Sequence, residues 1–248
     1  MIRTLLIITG ASLVLCIAAL GGAAALGGND IARHGGNWTF WDDDGDSHTV
    51  HFDRADRGPR VTRSLAWTGG DRLEIHVPAD VIYVQGDEAS VEVSGSQAQV
   101  DRLRLTEGRF TFNEDDSHVV FGWRNSPALR ITVTAPAVRT FDMSGSGDLS
   151  IRAYDQPDLM ISIRGSGEVD AAGRTETVEL DIHGSGEADL SALETRDADV
   201  EISGSGEAAV GPTGAARISI SGSGDVDLTR RPATVTQNIS GSGDVNQR

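Results

Sequence analysis

The residues in this chain whose type and spacing bear on chemistry are acids. Asp148, Glu168, Glu187, Glu207, Asp225 and Asp244 each follow a Gly-Ser-Gly triplet, and the triplets begin at Gly145, Gly165, Gly184, Gly204, Gly222 and Gly241. Carboxylates repeated at a near-constant interval offer hard oxygen donors, of which calcium takes several at once. A second, interrupted row lies two residues further on, at Asp170, Asp189 and Asp227, with Ser150, Ala209 and Asn246 in its gaps. If the repeats stack at the spacing of β-strands, neighbouring carboxylates stand about 4.8 Å apart. Two like charges at that distance repel by about 0.9 kcal/mol in water and about 3.5 kcal/mol at an effective dielectric of about 20. Solvent, hydrogen bonds from bend amides, or bound cations would each relieve the repulsion. Two readings stay open: a calcium-stabilised ladder with these six acids as ligands, and a solvated edge whose charges guard against misassembly. The Gly-rich nonapeptide of calcium-binding solenoids is absent.

Other groups offer less. Residues 42–51 hold Asp42, Asp43, Asp44 and Asp46 with His48 and His51. The acids form a run and no twelfth-position glutamate completes an EF-hand, so the segment reads as an acidic loop, with the two histidines as lesser candidates for a divalent site. The Gly-Ser-Gly serines are periodic and no helix is predicted, so the strand–elbow–helix setting of a nucleophilic serine is missing. His183 shares its column with Ser144, Arg164, Ser203, Ser221 and Ser240, which marks an exposed position rather than a catalytic one. Phosphate is repelled by the carboxylate beside each bend. Arg124, Arg130, Arg139, Arg152 and Arg164 are scattered, and the chain has no lysine.

The elements that position the acids follow from the repeat. Successive triplets are 20, 19, 20, 18 and 19 residues apart, a self-similarity that signals stacked architecture. Two residues before each triplet stand Met143, Ile163, Ile182, Ile202, Ile220 and Ile239; four before stand Phe141, Ile161, Leu180, Val200, Ile218 and Gln237. Mostly polar residues separate them, which is a strand with one buried face. After the acid the alternation resumes with Leu149, Val169, Ala188, Ala208, Val226 and Val245. Each repeat therefore reads as strand, Gly-Ser-Gly bend, strand and a less regular return, one coil of a parallel β-solenoid of about 19 residues. The fold class is all-β.

Upstream, residues 71–140 read as degenerate first coils, with Gly86-Asp87-Glu88 and Ser94-Gly95-Ser96 echoing the bend. Arg109–Phe112, Val119–Phe121 and Leu129–Val133 are further strand candidates. Residues 26–70, rich in Gly, Asp and Arg, read as a poorly packed extension and a candidate cap for the first coil. Residues 141–248 are the regular repeat. Residues 1–25 carry Arg3, an apolar run over Leu5–Leu20 and Ala23-Ala24-Ala25, the pattern of a cleaved signal peptide. The other reading is an uncleaved anchor, because Thr4–Ala25 is uncharged and long enough to span a bilayer. Leu15 before Cys16 does not fit a lipoprotein signal. Cys16 is the only cysteine, so its removal would leave no thiol chemistry. Either way the bulk of the chain lies outside the cytoplasm, in the periplasm, cell envelope or outer surface. The formal net charge of −16 argues against nucleic acid and anionic membrane as partners; membrane contact is expected only through an uncleaved N-terminal segment. Only Val245-Asn246-Gln247-Arg248 follows the last Gly-Ser-Gly-acid motif. An uncapped last coil is a template for end-to-end self-association as a homo-oligomer, or for capping by a partner.

The six Gly-Ser-Gly-acid copies resemble the bacterial GIN-domain family, putative autotransporter adhesin, head GIN domain. The stretch Leu73–Ser96, with Val77-Pro78-Ala79-Asp80-Val81 and Gln85-Gly86-Asp87, looks like that family's opening segment. The resemblance covers residues 65–248 and implies an exported right-handed parallel β-solenoid without catalytic residues. It points to an interaction or adhesion module whose partner is an envelope protein or a surface glycan. The competing class is a carbohydrate-active β-helix enzyme of the polysaccharide-lyase kind, which needs acids and a basic residue gathered in a cleft.

Overall fold

The computed structural model describes residues 37–41, 47–51, 60–113 and 129–247. The N-terminal apolar run, Asp42–Asp46, the strand candidate Val119–Phe121 and Arg124 lie outside the described residues, as do the side chains of His48 and His51. The chain divides into two units, residues 1–57 with 115–126, and residues 58–114 with 127–248. In the first, β1 (Asn37–Trp41) and β2 (Ser47–His51) form an antiparallel hairpin with Asn37 opposite His51 and Trp41 opposite Ser47.

The second unit opens with β3 (Arg60–Leu65), β4 (Arg72–Ile75), β5 (Asp80–Gln85) and β6 (Ser90–Ser96), then helix α1 (Gln97–Arg102), β7 (Leu103–Thr106), β8 (Arg109–Phe112) and β9 (Arg130–Ala135). The regular coils follow as β10 (Thr140–Gly145), β11 (Asp148–Asp155), β12 (Asp158–Gly165), β13 (Glu168–Gly184), β14 (Glu187–Gly204), β15 (Glu207–Pro212), β16 (Ala215–Gly222), β17 (Asp225–Leu228), β18 (Thr234–Gly241) and β19 (Asp244–Gln247). Before the bends, β10, β12, β13, β14, β16 and β18 stack in parallel, with Gly145, Gly165, Gly184, Gly204, Gly222 and Gly241 in one column. After the bends, β11, β13, β14, β15, β17 and β19 stack the same way. This is the parallel β-solenoid that the 19-residue period requires.

Alternation decides what goes inside. Ile161, Leu180, Val200 and Ile218 form one buried column, and Ile163, Ile182, Ile202 and Ile220 another. Val169, Ala188, Ala208 and Val226 line the second face, all buried. The core is a continuous column one side chain deep on each wall, and β-branched residues suit it because they pack on a pleated surface with little rotamer freedom to lose. Larger side chains gather at the first regular coils. Phe141 packs edge-on against Tyr83 at 5.0 Å and Tyr154 at 6.3 Å between ring centres, and the Tyr83 hydroxyl donates to the Ala135 carbonyl at 2.8 Å.

Four features depart from the sequence reading. The returns are not irregular throughout, for β13 and β14 run unbroken around the third corner, with Arg174 opposite Glu194 and Thr175 opposite Thr195. The first coils mix directions, because β6 pairs antiparallel with both β3 and β9, and β7 with β8. Residues 60–65, assigned to the extension, form β3 of the solenoid sheet. A helix is present where none was predicted. Ser94-Gly95-Ser96 is not a bend but the end of β6, and Ser96 caps α1. Its hydroxyl accepts from the Gln99 amide at 3.3 Å while the Gln99 side chain accepts from the Ser96 amide at 3.0 Å. That reciprocal capping box holds a six-residue helix that hydrophobic periodicity is too short to reveal.

The bends set the register. Gly184 has φ +127°, and a Cβ there would sit 2.4 Å from the Gly165 carbonyl oxygen of the coil below. Gly145 has φ +105° but a Cβ there would meet nothing within 4 Å, since the preceding turn carries His76-Val77-Pro78-Ala79 in place of the triplet. Gly145→Ala should therefore cost only the backbone strain, about 1–3 kcal/mol. Gly184→Ala should cost clearly more, because strain and clash combine. Urea unfolding of the two variants checks this, with equal losses speaking against the stacking of bend on bend.

Candidate functional site

The acids begin the after-bend strands, and the parallel register brings all six into one column: Asp148 opposite Glu168, Glu168 opposite Glu187, then Glu207, Asp225 and Asp244 in turn. All six are exposed. The backbone behind them is pinned rung to rung. The Glu168 amide donates to the Gly147 carbonyl at 3.1 Å, Glu187 to Gly167 at 3.0 Å, and Glu207 to Gly186 at 3.1 Å. The Asp244 amide instead donates to the Asp225 carboxylate at 2.9 Å, so one of the proposed outlets for repulsion, an amide donor, is used at that rung. The bend serines stand beside the acids and are exposed in every coil. The second row also forms, with Asp170 opposite Asp189, and Ala209 opposite Asp227.

The column is longer than the repeats alone showed. Asp80 lies opposite Asp148, and Arg130 lies opposite Asp80, with its guanidinium 3.6 Å from the Asp80 carboxylate. Asp80 follows Pro78-Ala79, and the Asp148 amide donates to the Ala79 carbonyl at 3.1 Å just as later acids bond to bend glycines. The signal in the sequence was the acid followed by alternating Val81, Tyr83, at the position that precedes each later strand. Among the described residues no three acidic or histidine side chains converge in a metal-holding group. The six acids form a ladder and not a cage.

Stacking shifts the titration. Partial burial, then Asp80 and Asp170, push the Asp148 carboxyl above the usual carboxylate range. Glu168 is raised by loss of solvation first and then by Asp170, Glu187, Asp148 and Asp189. On the neighbouring face Asp181 is raised by burial and by Glu201.

That face behaves differently towards the first coils. Asp142 pairs with Arg72 at 3.0 Å and Arg164 at 3.6 Å. Glu74 bonds Arg109 and lies 3.9 Å from Arg72 and 3.6 Å from His76. The Arg109 hydrogen bond holds the Glu74 carboxyl below its ordinary range. The Arg72–Asp142, Arg164–Asp142 and Arg109–Glu74 pairs cross coils and tie them together. Of the arginines considered for an enzyme, Arg164 joins this network and Arg130 the acid column, while the Arg152 guanidinium donates to Ser150 at 3.1 Å. They do not gather in one cleft. His183 is exposed, opposite Arg164 and Ser203.

The third corner holds a feature the sequence reading missed. Thr175 and Thr195 are the buried polar residues there, and their hydroxyls donate to backbone carbonyls: Thr175 to Pro157 at 3.0 Å, Thr195 to Asp197 at 3.0 Å. The signal was threonine at 175, 195 and 213. A shallow cleft of 340 Å³ beside it is lined by Asp155, Gln156, Pro157, Arg174, Thr175 and Glu176. Within it Arg174 donates two hydrogen bonds to Asp155 at 2.8 and 2.7 Å, and Glu176 lies 3.9 Å from Arg196.

A stacked parallel solenoid with an exposed serine–acid edge places the chain among β-repeat proteins whose regularity is presented outward. Residues 71–232 match the family described as putative auto-transporter adhesin, head GIN domain, and the chain belongs to that family. Among solved structures it is similar to a putative adhesin from Bacteroides fragilis, at 17% identity and a TM-score of 0.62, covering 78% of this chain and 99% of that one. It is also similar to a putative adhesin from Parabacteroides merdae, at 15% identity and a TM-score of 0.50, over 77% and 97% of the two chains. At these identities the likeness establishes the fold. No curated protein matches the chain.

The acid ladder and the ion-paired Glu74 of the first coils should respond oppositely to acid. For Asp148 and Glu168 the folded pKa lies above the unfolded one, so protonation as pH falls from neutral through the carboxylate range stabilises the fold. For Glu74 the folded pKa is depressed, so its stabilisation is present above the unfolded value and is lost as pH falls through the folded one. Glu168→Gln should raise the melting midpoint at pH 7 and flatten its rise on mild acidification. Glu74→Gln should lower the midpoint at pH 7. Thermal melts between pH 7 and pH 3 measure both, and a Glu168→Gln variant less stable than the parent at pH 7 contradicts the ladder.

Proposed function

We propose that this chain is a non-enzymatic, exported cell-envelope module that adheres through its repeated serine–acid edge to an envelope protein or surface glycan. The observation that carries the reading is the ladder itself: six exposed acids in register, each beside an exposed bend serine. Membership of a family described as adhesins supports it. So does the cleft beside Thr175, where the Arg174 guanidinium that a polysaccharide lyase would need as its base is tied to the Asp155 carboxylate by two hydrogen bonds.

The finer part of the proposal is that calcium bridges neighbouring rungs. Carboxylates from adjacent coils supply donors to one ion only in pairs, so such sites would be weak, filled at millimolar rather than micromolar calcium, as in extracellular modules. Binding would lower the mutual repulsion of the column and leave the serine hydroxyls free to hydrogen-bond a glycan or protein.

The test is a thermal melt of the full chain in millimolar calcium and in chelator. A higher midpoint in calcium, lost in the triple variant Glu168→Gln, Glu187→Gln, Glu207→Gln, is the expected result. Identical melts remove the cation from the account. Binding of the full chain to arrayed polysaccharides and to whole envelope fractions should fall in the same triple variant. Turnover of an acidic polysaccharide that disappears on mutating Arg130 or Arg164 would replace adhesion with the lyase reading.

A further inference from the structure

We propose that strand β18 pairs antiparallel with β18 of a second copy, joining two solenoids into a closed dimer with one continuous sheet. The inference rests on the reading of the chain as an interaction module and names one partner for it. Its starting point is an anomaly of charge. Edge strands in natural sheets are protected by charged side chains, proline or bulges that deter pairing with another chain. Every other before-bend strand of the regular coils carries a charge: Asp142 in β10, Arg164 in β12, Glu179 and Asp181 in β13, Asp199 and Glu201 in β14, and Arg217 in β16. Strand β18, Thr-Val-Thr-Gln-Asn-Ile-Ser-Gly, has none, nor a proline.

It is also the strand left open. Among the described residues β18 pairs only with β16, and all eight of its residues are exposed. Val235 and Ile239, at 41% and 37% exposure, stand directly above Ala216 and Ile220, which are buried at 2% and 1%. The apolar columns of the core therefore continue into β18, with nothing among the described residues over them.

The sequence of the strand is self-complementary in one antiparallel register. A two-fold axis through Gln237 keeps inward residues opposite inward ones, as the period of two demands. Val235 then faces Ile239 of the second copy, and Gln237 faces its own counterpart, whose amide can both donate and accept. Outward, Thr236 faces Asn238 and Thr234 faces Ser240. Every pair is apolar on apolar or neutral polar on neutral polar, so no like charges oppose, despite the −16 net charge of the chain. The same axis runs along the normal of this face, and so exchanges the other two sides of the coil. It lays β19 of one copy over the return segment 229–233 of the other, bringing Asp244 towards Arg230 and Arg231. A two-fold contact of this kind is closed and stops at two copies.

Cysteine pairing in the full chain tests the register. In a Cys16→Ser background, Gln237→Cys should yield a disulfide-linked dimer under mild oxidation, because the axis places the residue opposite itself; Ser223→Cys, exposed on a bend a coil away, should yield at least tenfold less. Sedimentation of the full chain in a non-ionic detergent should show a dimer that Ile239→Lys converts to monomer, with a dissociation constant raised at least 100-fold. Ile239 is already exposed, and a cooperative melt that matches the parent's at concentrations where the parent is also monomeric will show that this variant folds. Monomer at all concentrations, or species that grow beyond the dimer, overturns the pairing, as does a Gln237→Cys yield no higher than that of Ser223→Cys. Adhesion that persists in the Ile239→Lys monomer separates the two proposals, since the edge would then bind without the dimer. Loss of adhesion in a chain that still dimerises would instead overturn the edge reading alone.

Discussion

Parallel coils can stack at strand spacing only if each bend leaves room for the bend above it. In this chain that room is the volume of one hydrogen atom. A Cβ at Gly165, Gly184, Gly204 or Gly222 would lie 2.2–2.4 Å from the carbonyl oxygen of the bend glycine below, well inside van der Waals contact. The same carbonyl accepts the amide of the next bend serine, as in Ser205 to Gly184 at 2.8 Å. Close approach and hydrogen bond are thus one arrangement, and removing the Cβ permits both. With the bends locked, the register of the flanking strands has no freedom left, and every column, apolar or acidic, follows.

The acid ladder is a consequence of that locking. Repetition that gives each coil the same buried Ile at one position gives it the same carboxylate at another, and the stack cannot stagger to separate them. The sheet tolerates the repulsion because the acids are exposed, where water screens them. The opposite solution appears at the first coils, where coil-to-coil identity breaks down and Arg72, Arg109 and Arg164 interleave with Glu74 and Asp142. A chain built this way is tied by ion pairs across its first coils and carries a row of exposed carboxylates along its serine–acid edge.

The regular part of the fold could be read from residues alone because its signals are local and repeated six times. Met143, Ile163, Ile182, Ile202 and Ile220 mark the inward column, the triplets mark the bends, and the register follows from aligning one with the other. The first coils could not be read so well. Ser94-Gly95-Ser96 looks like a bend in composition, but Gly95 sits in β6 and Ser96 caps a helix; which of these a Ser-Gly-Ser becomes depends on Gln99, three residues on, and on pairing with β3, thirty residues back. The antiparallel pairs of β6 with β3 and β9 join segments with no shared repeat, so nothing in the sequence records them. Asp80 was missed as the head of the acid column for the same reason, since Pro78-Ala79 replaces the triplet that identified the other rungs. Thr175 and Thr195 do not stand out in the sequence because their return segments vary in length and carry the composition of loops.

The central claim is the in-register parallel stack that carries the serine–acid edge. Nitroxide labels on bend serines in a Cys16→Ser chain test it most directly. Labels at Ser185 and Ser205 sit on adjacent rungs, with backbones about 4.8 Å apart, and at Ser166 and Ser223 on rungs about 14 Å apart. Strong dipolar broadening of the spectrum for the first pair and weak broadening for the second is the predicted result. Equal broadening for both pairs, or none for Ser185 with Ser205, would contradict the stack and with it the ladder.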